Sequence, residues 1–212
     1  MTTPTVGSPS SSTSTKSPTT QTPTTPSPQT SATATATAAP ATAPTSPAPT
    51  APTAADLLDF ARAVAADPAV VGELPLDPDG RTWVRLDGPG GSEAWLIGWP
   101  PGAETGWHDH GGSYGVFVTA AGELTEQSLS VPLPTEGWRS LELADGVDRQ
   151  RILPEGKGRA FGRHHVHQVE NRSQTTHAVS VHAYYPPLPL IRRYSRKGST
   201  LNLELVELPE EW

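Results

Sequence analysis

The chain has 212 residues, with 15 basic and 22 acidic side chains, seven histidines and no cysteine. The lack of cysteine excludes disulfide frameworks, cysteine-bound zinc, iron–sulfur clusters and a cysteine nucleophile. A formal net charge of −7 argues against a general nucleic-acid binder, which needs a basic face. No apolar run approaches the roughly 18 residues of a membrane span. We therefore expect a soluble, mildly acidic protein that binds neither nucleic acid nor membrane.

Residues 1–54 consist almost entirely of Thr, Ser, Pro and Ala, and Lys16 is the only charged side chain before Asp56. A segment with so little apolar surface cannot offset the conformational entropy that it would lose on ordering. The composition predicts a disordered tail, and a mucin-like secreted stalk is the alternative. The segment has neither the basic start nor the apolar stretch of a signal peptide.

Residues 55–212 contain every Trp, Tyr and Phe, and their number is sufficient for one well-packed domain. The run Thr53-Ala-Ala-Asp56 precedes apolar residues at helical spacing, which predicts a short helix. After Pro75, short apolar or alternating runs separated by Gly, Pro and Asp predict nine strands. These are 81–86, 93–99, 114–120, 123–129, 139–143, 159–162, 165–170, 177–184 and 201–206. The pattern predicts a mainly all-β protein, an antiparallel sandwich or barrel.

The seven histidines fall into three groups within the predicted β region: His108 and His110; His164, His165 and His167; His177 and His182. Side chains two residues apart on a strand point to the same face, so His108 and His110 are placed to share a metal ion. An isolated pair of this kind is more often two surface or hydrogen-bonded histidines, so its context decides.

That context is Gly102-x5-His108-x-His110-x4-Gly115-x6-Gly122, followed by Gly162-x4-His167-x3-Asn171. The pattern resembles the two-part motif of the cupin superfamily, a small β-barrel that holds a metal in its mouth. The glutamate that is often a further ligand in this superfamily falls near Gly115. The resemblance therefore implies a three-histidine site without a carboxylate ligand.

Further segments narrow the resemblance: Trp83-Val-Arg85, Leu96-Ile-Gly-Trp99 and Ser180-Val-His182-Ala-Tyr184, in that order around the histidine motifs. Together they resemble cysteine dioxygenase, the thiol dioxygenase branch of the cupins, over roughly residues 80–190. This resemblance implies that residues 55–212 form a single-domain, jelly-roll-like cupin barrel with a short N-terminal helix.

The resemblance also implies an activity. His108, His110 and His167 match the three ligands of Fe(II), and Arg85 matches the arginine that pairs with the substrate carboxylate. The implied reaction adds both atoms of O2 to the sulfur of L-cysteine and gives cysteine sulfinic acid. The implied enzyme is a cytoplasmic monomer of cysteine catabolism.

Three residues near the C-terminus complete the implied site. His182 and Tyr184 match the catalytic pair that orients the substrate and oxygen, and Ser180 matches a substrate-binding serine beside them. In animal members, a cysteine at the position of Gly115 forms a thioether bond to the tyrosine. Gly115 cannot form that crosslink, so the resemblance implies an active site without it.

Two other functions remain open at this point. A sister enzyme that acts on 3-mercaptopropionate or another small thiol typically carries glutamine where Arg85 stands. A non-catalytic metal-binding cupin, or a metal-dependent isomerase, would not need a histidine–tyrosine pair at strand spacing. The simplest alternatives for single residues are a surface position for Arg85 and a core position for Tyr184.

Overall fold

The computed structural model describes residues 50–134 and 137–209. Helix α1 spans Ala54–Ala65, and a short helix α2 spans Pro68–Gly72. Thr53 and Asp56 form a reciprocal capping box at the start of α1, which confirms the predicted helix start. Because Pro52 is buried, the folded region begins slightly before residue 55. The predicted tail lies outside the described residues as far as residue 49.

Twelve strands follow in the described part of the chain. They are β1 (Thr82–Asp87), β2 (Glu93–Trp99), β3 (Trp107–Asp109), β4 (Tyr114–Ala121), β5 (Glu123–Leu129), β6 (Ser140–Glu142), β7 (Asp148–Pro154), β8 (Gly158–Phe161), β9 (His167–Glu170), β10 (Ala178–Tyr185), β11 (Ile191–Lys197) and β12 (Thr200–Glu207). Nine of these were predicted, with ends that differ by a few residues at most. The pattern missed β3, β7 and β11, which are short or mainly polar.

The strands form two sheets. One has five strands in the order β1-β2-β10-β4-β8, and the other has seven in the order β6-β12-β11-β3-β9-β5-β7. All strand pairings within these sheets are antiparallel. Apolar side chains from both sheets, such as Phe117 of β4 and Val169 of β9, meet in one buried cluster. The molecule is thus a β sandwich with a short N-terminal helix, which confirms the predicted class.

Strand β10 lies in the middle of the five-stranded sheet and has two different faces. On its outer face, Val179, Val181 and Ala183 pack in one apolar cluster with Leu57 and Ala61 of α1. Its inner face is polar and is turned towards the other sheet: Ser180, His182 and Tyr184. Helix α1 therefore covers one side of the strand and leaves the other side free for a site.

Both α-helices of the described region are short, and a single turn of 3-10 helix spans Pro89–Gly91. No helix there has the length and apolar character that crossing a membrane requires.

Candidate metal centre

Three histidines meet between the sheets. His108 lies on β3 and is paired in register with His167, the first residue of β9, while His110 follows the end of β3. One ring nitrogen from each lies within 4.8 Å of one from each of the others. All three side chains are buried. The motif residues His108 and His110 therefore form one cluster with His167, which lies 57 positions after His110 in the sequence.

The hydrogen bonds of two of these rings determine which nitrogen is free. His108 Nδ1 lies 3.0 Å from the carbonyl oxygen of Gly106, and His167 Nδ1 lies 2.9 Å from a carboxylate oxygen of Glu126. Both oxygens only accept hydrogen bonds, so each Nδ1 carries the proton and donates it. In both rings Nε2 is left as the lone-pair donor for a ligand.

His110 supports a metal site independently. Both of its ring nitrogens are buried, and neither has a hydrogen-bond partner among the described residues. Such orphaned polar atoms are costly, at about 1–3 kcal/mol each. Burial, with a smaller effect from His108, also holds the pKa of His110 well below its usual value, so the ring is neutral and able to bind a metal. A metal ion at the cluster would satisfy one of these two nitrogens.

The cluster suits a first-row transition metal. Neutral imidazoles favour iron, copper, nickel or zinc, whereas magnesium and calcium prefer oxygen ligands. Burial, followed by the neighbouring His167, also lowers the pKa of His108 well below its usual value. The residues present therefore fit such a metal ion. Because three neutral donors add no negative charge, a bound metal ion would keep its positive charge and attract an anionic substrate.

Gly115 of β4 lies next to the cluster, opposite Tyr184 of β10. A Cβ atom at this position would stand 2.8 Å from Phe161 Cζ, from Tyr184 Cδ1 and from the carbonyl oxygen of Ala183. Real Cβ atoms do not approach other atoms this closely, so the packing leaves no room for a side chain. Tyr184 is held here by its contacts with the strand and with Phe161, and not by a covalent link.

A line of hydrogen bonds runs along the inner face of β10. The indole Nε1 of Trp99 lies 2.8 Å from Ser180 Oγ, which lies 2.8 Å from His182 Nε2. On the other side of the ring, His182 Nδ1 lies 3.1 Å from the hydroxyl of Tyr184. All four side chains are buried. The spacing that the sequence suggested is therefore realised as a continuous chain of contacts.

The chemistry of Trp99 sets the direction of this chain. An indole N–H only donates, so Ser180 Oγ accepts from it. Among the described residues, the acceptor within reach of the Ser180 hydroxyl proton is His182 Nε2. Burial lowers the pKa of His182 to about 3, so the ring is neutral and its proton sits on Nδ1. That proton is donated to the oxygen of Tyr184, whose own proton is left free.

Tyr184 faces the histidine cluster with that free proton. Its ring centroid lies 5.0 Å from that of His110. Burial, with a smaller effect from Glu93, raises the pKa of Tyr184 above its usual value, so the hydroxyl stays protonated. The side chain therefore offers a hydrogen-bond donor beside the cluster.

An open cavity of about 310 Å³ leads to the cluster. Its wall is mainly aromatic and aliphatic, and His108, His167, His182 and Tyr184 line its inner end. Two guanidiniums also line it. That of Arg193 is paired with the Glu207 carboxylate at 2.8 Å and donates to the carbonyl oxygen of Thr105.

The second guanidinium belongs to Arg81, immediately before β1. It is partly buried and stacks over the ring of Trp99 at 5.3 Å from the centroid. Among the described residues, no hydrogen bond or ion pair engages it. Burial, followed by the charge of Arg193, lowers its pKa. An unpaired cation in a mainly apolar cavity is a ready site for an anion.

Arg85, the arginine that the sequence predicted for this role, is elsewhere. It is exposed, its guanidinium stacks on Trp95 at 5.6 Å from the centroid, and it does not line the cavity. Arg81 and Arg85 lie on the same face of the strand, so alternation alone could not separate them. The register decides: Thr82 pairs with Gly98, which brings Arg81 beside Trp99 and leaves Arg85 opposite Trp95.

Glu126 of β5 is a residue that sequence reasoning did not single out. Its carboxylate is fully buried and accepts hydrogen bonds from His167 and His165, while Arg159 pairs with its other oxygen. Burial alone would raise the pKa of this carboxyl, but the hydrogen bonds from the two histidines hold it far below its usual value. A signal existed: Leu124, Glu126 and Ser128 alternate, so Glu126 is a charged residue at an inward-facing position.

Asp109 lies between two of the clustered histidines and anchors that segment. Its carboxylate accepts a hydrogen bond of 2.6 Å from the hydroxyl of Tyr194, and Arg192 lies 3.2 Å away. It also accepts from the backbone N–H of Gly111 at 2.9 Å. These contacts hold the turn that carries His110 against β11.

Four of the sequence-predicted residues line the cavity, namely His108, His167, His182 and Tyr184. His110 joins them through the histidine cluster and Ser180 through its hydrogen bond to His182, whereas Arg85 is left out.

Solved structures resemble parts of this chain. Oxalate oxidase in complex with the substrate analogue glycolate is 22% identical over 51% of this chain and 52% of that chain, with a TM-score of 0.39. A sugar phosphate isomerase of the cupin superfamily from Silicibacter pomeroyi is 18% identical over 63% and 79%, with a TM-score of 0.41. A cupin superfamily protein from Desulfitobacterium hafniense is 9% identical over 53% and 84%, with a TM-score of 0.37. The chain spans about half the length of the oxalate oxidase structure.

No curated protein matches the chain significantly. The model of one protein family, cysteine dioxygenase type I, matches residues 40–197, which is more than half of the chain. The match includes the histidine cluster and the inner face of β10. The chain therefore belongs to the cysteine dioxygenase type I family.

Proposed function

We propose that this protein is an Fe(II)-dependent thiol dioxygenase that converts L-cysteine and O2 to cysteine sulfinic acid. The reaction needs no further reductant, because both atoms of one O2 molecule end on the substrate sulfur. The proposal is carried by one observation: a three-histidine cluster and an unpaired guanidinium share one cavity. Such a cavity suits a small molecule with a metal-binding thiolate at one end and a carboxylate at the other.

We assign the metal to His108, His110 and His167, and iron is supported by the donor set. Imidazole ligands are common for iron, and three protein ligands leave other coordination positions open. Bound Fe(II) would supply an electrophile for the thiolate and redox chemistry with O2. The absence of a carboxylate from the cluster favours an anionic substrate, because no ligand charge offsets that of the metal.

We assign recognition of the substrate carboxylate to Arg81 in place of Arg85. A guanidinium offers two parallel N–H donors that match the two oxygens of a carboxylate. The guanidinium of Arg81 is free in the cavity, 5.3 Å from the centroid of the Trp99 ring, whereas that of Arg85 is at the surface. A bound carboxylate would also supply the partner that Arg81 otherwise lacks.

We assign to Tyr184 the role of a proton-bearing donor to the reacting end of the substrate. The line from Trp99 through Ser180 and His182 supports this role, because it directs every hydrogen bond towards the tyrosine oxygen. Within this line of hydrogen bonds, the hydroxyl proton of Tyr184 is then the one that remains available to an oxygen atom in the cavity. His182 and Ser180 act as positioning residues that keep the phenol oriented.

A second substrate is supported by a specific observation. Among the described residues that line the cavity, Glu207 is the one with a carboxylate, and this carboxylate is already paired with Arg193. Within the described part of the chain, no lining carboxylate is therefore free to recognise the ammonium group of cysteine. A thiol acid without that group, such as 3-mercaptopropionate, would use Arg81 equally well.

The test is O2 consumption by the full-length protein after anaerobic loading with Fe(II). L-Cysteine, 3-mercaptopropionate and cysteamine are supplied in parallel, and the products are identified by mass spectrometry. The proposal expects a sulfinic acid from cysteine, with one O2 consumed for each product formed. No O2 uptake with any of the three thiols, from a protein that holds one iron per chain, would refute it.

A further inference from the structure

Glu126 joins a buried charge to the candidate metal centre. Its Oε1 atom lies 2.9 Å from His167 Nδ1 and 2.9 Å from His165 Nε2. Its Oε2 atom lies 2.5 Å from a guanidinium nitrogen of Arg159 and 3.6 Å from one of Arg151. Both oxygens are therefore engaged, one by histidines and the other by arginines. The carboxylate itself is fully buried.

This arrangement is costly, and packing alone does not explain it. Burying a charged pair generally costs more desolvation free energy than its attraction returns, and well-packed apolar residues are often at least as stable. Leu124, two positions earlier on β5, also points inward and is apolar, so an apolar residue could have filled the position of Glu126 as well. The charge therefore points to a role beyond filling the space.

The three clustered histidines differ in what orients them. The Nδ1 atom of His108 donates to a neutral backbone carbonyl, and His110 has no hydrogen-bond partner among the described residues. His167 alone of the three donates to a carboxylate. A carboxylate on the far nitrogen of a ligating imidazole fixes the tautomer and makes the other nitrogen a stronger donor to the metal.

We propose that Glu126 is a positioning residue that locks His167 in the Nδ1–H tautomer and makes its Nε2 atom a stronger donor to the metal. The proposal rests on the proposed metal-dependent function. Glu126 strengthens one nitrogen donor of the cluster while the three ligands themselves stay neutral and no coordination position is occupied by a carboxylate. The remaining coordination positions stay open for substrate and O2, while His167 becomes the strongest of the three donors.

The test compares metal affinity in three full-length proteins: the parent, Glu126→Gln and His165→Gln. Glutamine at 126 keeps the size and one acceptor oxygen, but it removes the charge. His165→Gln is the matched control, because it removes the other histidine at the same carboxylate oxygen and keeps a donor to it. Co(II) serves as the probe, and its affinity is measured by competition with a chelator together with its visible absorption bands.

Glu126→Gln is expected to weaken Co(II) binding by about 10- to 100-fold and to shift the absorption bands, with His165→Gln close to the parent. Equal affinities and spectra for the parent and Glu126→Gln would overturn the proposal. Equal losses in both variants would also overturn it, because the network would then serve packing only. A parent that binds no Co(II) would instead refute the metal site itself.

The tautomer is tested without any metal and without any substitution at 126. In the parent, imidazole nitrogen NMR should find the His167 proton on Nδ1, with the downfield shift of a strong hydrogen bond to a carboxylate. A proton on Nε2 would overturn the proposal even if Glu126→Gln fails to fold. Either NMR result is independent of whether the protein consumes O2.

Discussion

Replacing Arg81 with glutamine should selectively impair substrates that carry a carboxylate. Arg81 has no other anionic partner among the described residues, so a substrate carboxylate would form its charge-assisted contact directly. Such hydrogen bonds contribute about 1.5–3 kcal/mol. At about 1.4 kcal/mol per tenfold change in rate, the expected loss in kcat/KM is roughly 10- to 150-fold.

The assay is steady-state O2 consumption by Fe(II)-loaded protein with cysteine, 3-mercaptopropionate and cysteamine. Cysteamine has no carboxylate, so its kcat/KM should be nearly the same in the parent and in Arg81→Gln. The matched control is Arg85→Gln. It makes the same chemical change four residues later, on the same face of the strand but at an exposed position. It should leave all three thiols nearly unaffected.

Two results would refute the reasoning. If cysteamine lost activity by the same factor as cysteine, Arg81 would be maintaining the shape of the cavity and not binding a carboxylate. If Arg85→Gln, and not Arg81→Gln, gave the carboxylate-selective loss, recognition would belong to the arginine that the sequence first suggested.

His110→Ala should retain less than about a tenth of the parent's bound metal, measured by elemental analysis, because the substitution removes one of the three imidazole ligands; full retention would exclude His110 as a ligand. Tyr184→Phe should lower kcat by about 10²-fold through loss of one positioned donor, with metal content unchanged; an unchanged kcat would rule out that donor. Gly115→Ala should destabilise the fold by about 1–3 kcal/mol in thermal unfolding, because its Cβ would overlap three atoms, whereas Gly72→Ala, with nothing within 4 Å, should not. The metal-free protein should lose stability as the pH falls below about 6.5, because buried His182, with a pKa of about 3, stays neutral in the fold while the unfolded chain takes up the proton. The slope is about 1.4 kcal/mol per pH unit for this residue, and His182→Gln should make the dependence shallower.

Most of the fold could be predicted because its strands carry their own apolar pattern. Strands β2 and β5 were predicted to the residue, since each has buried side chains bounded by turn-forming residues. Strands β7 and β11 could not be recognised, because they are rich in arginine and mostly exposed or half-buried. What makes them strands is pairing with β5, β12 and β3, and this pairing has no local signature.

The site divides in the same way. The histidines and the Ser180–His182–Tyr184 run were visible because their spacing along the chain is short and regular. Arg81 could not be preferred to Arg85, because only the register of β1 against β2 brings one of them to the cavity. Glu126 meets His167 across 41 positions of sequence, a contact that only the assembled sheet creates.

The two faces of β10 separate what stabilises the protein from what gives it chemistry. Its odd-numbered side chains belong to the apolar layer under α1, and its even-numbered ones carry the hydrogen-bond chain. Substitutions at Val181 should therefore lower the melting temperature, whereas those at His182 should, near neutral pH, mainly change turnover. Substitutions on one face can therefore adjust the stability of the fold, and substitutions on the other can adjust the candidate site. Inserting or deleting a single residue within it would exchange the two faces and abolish both together.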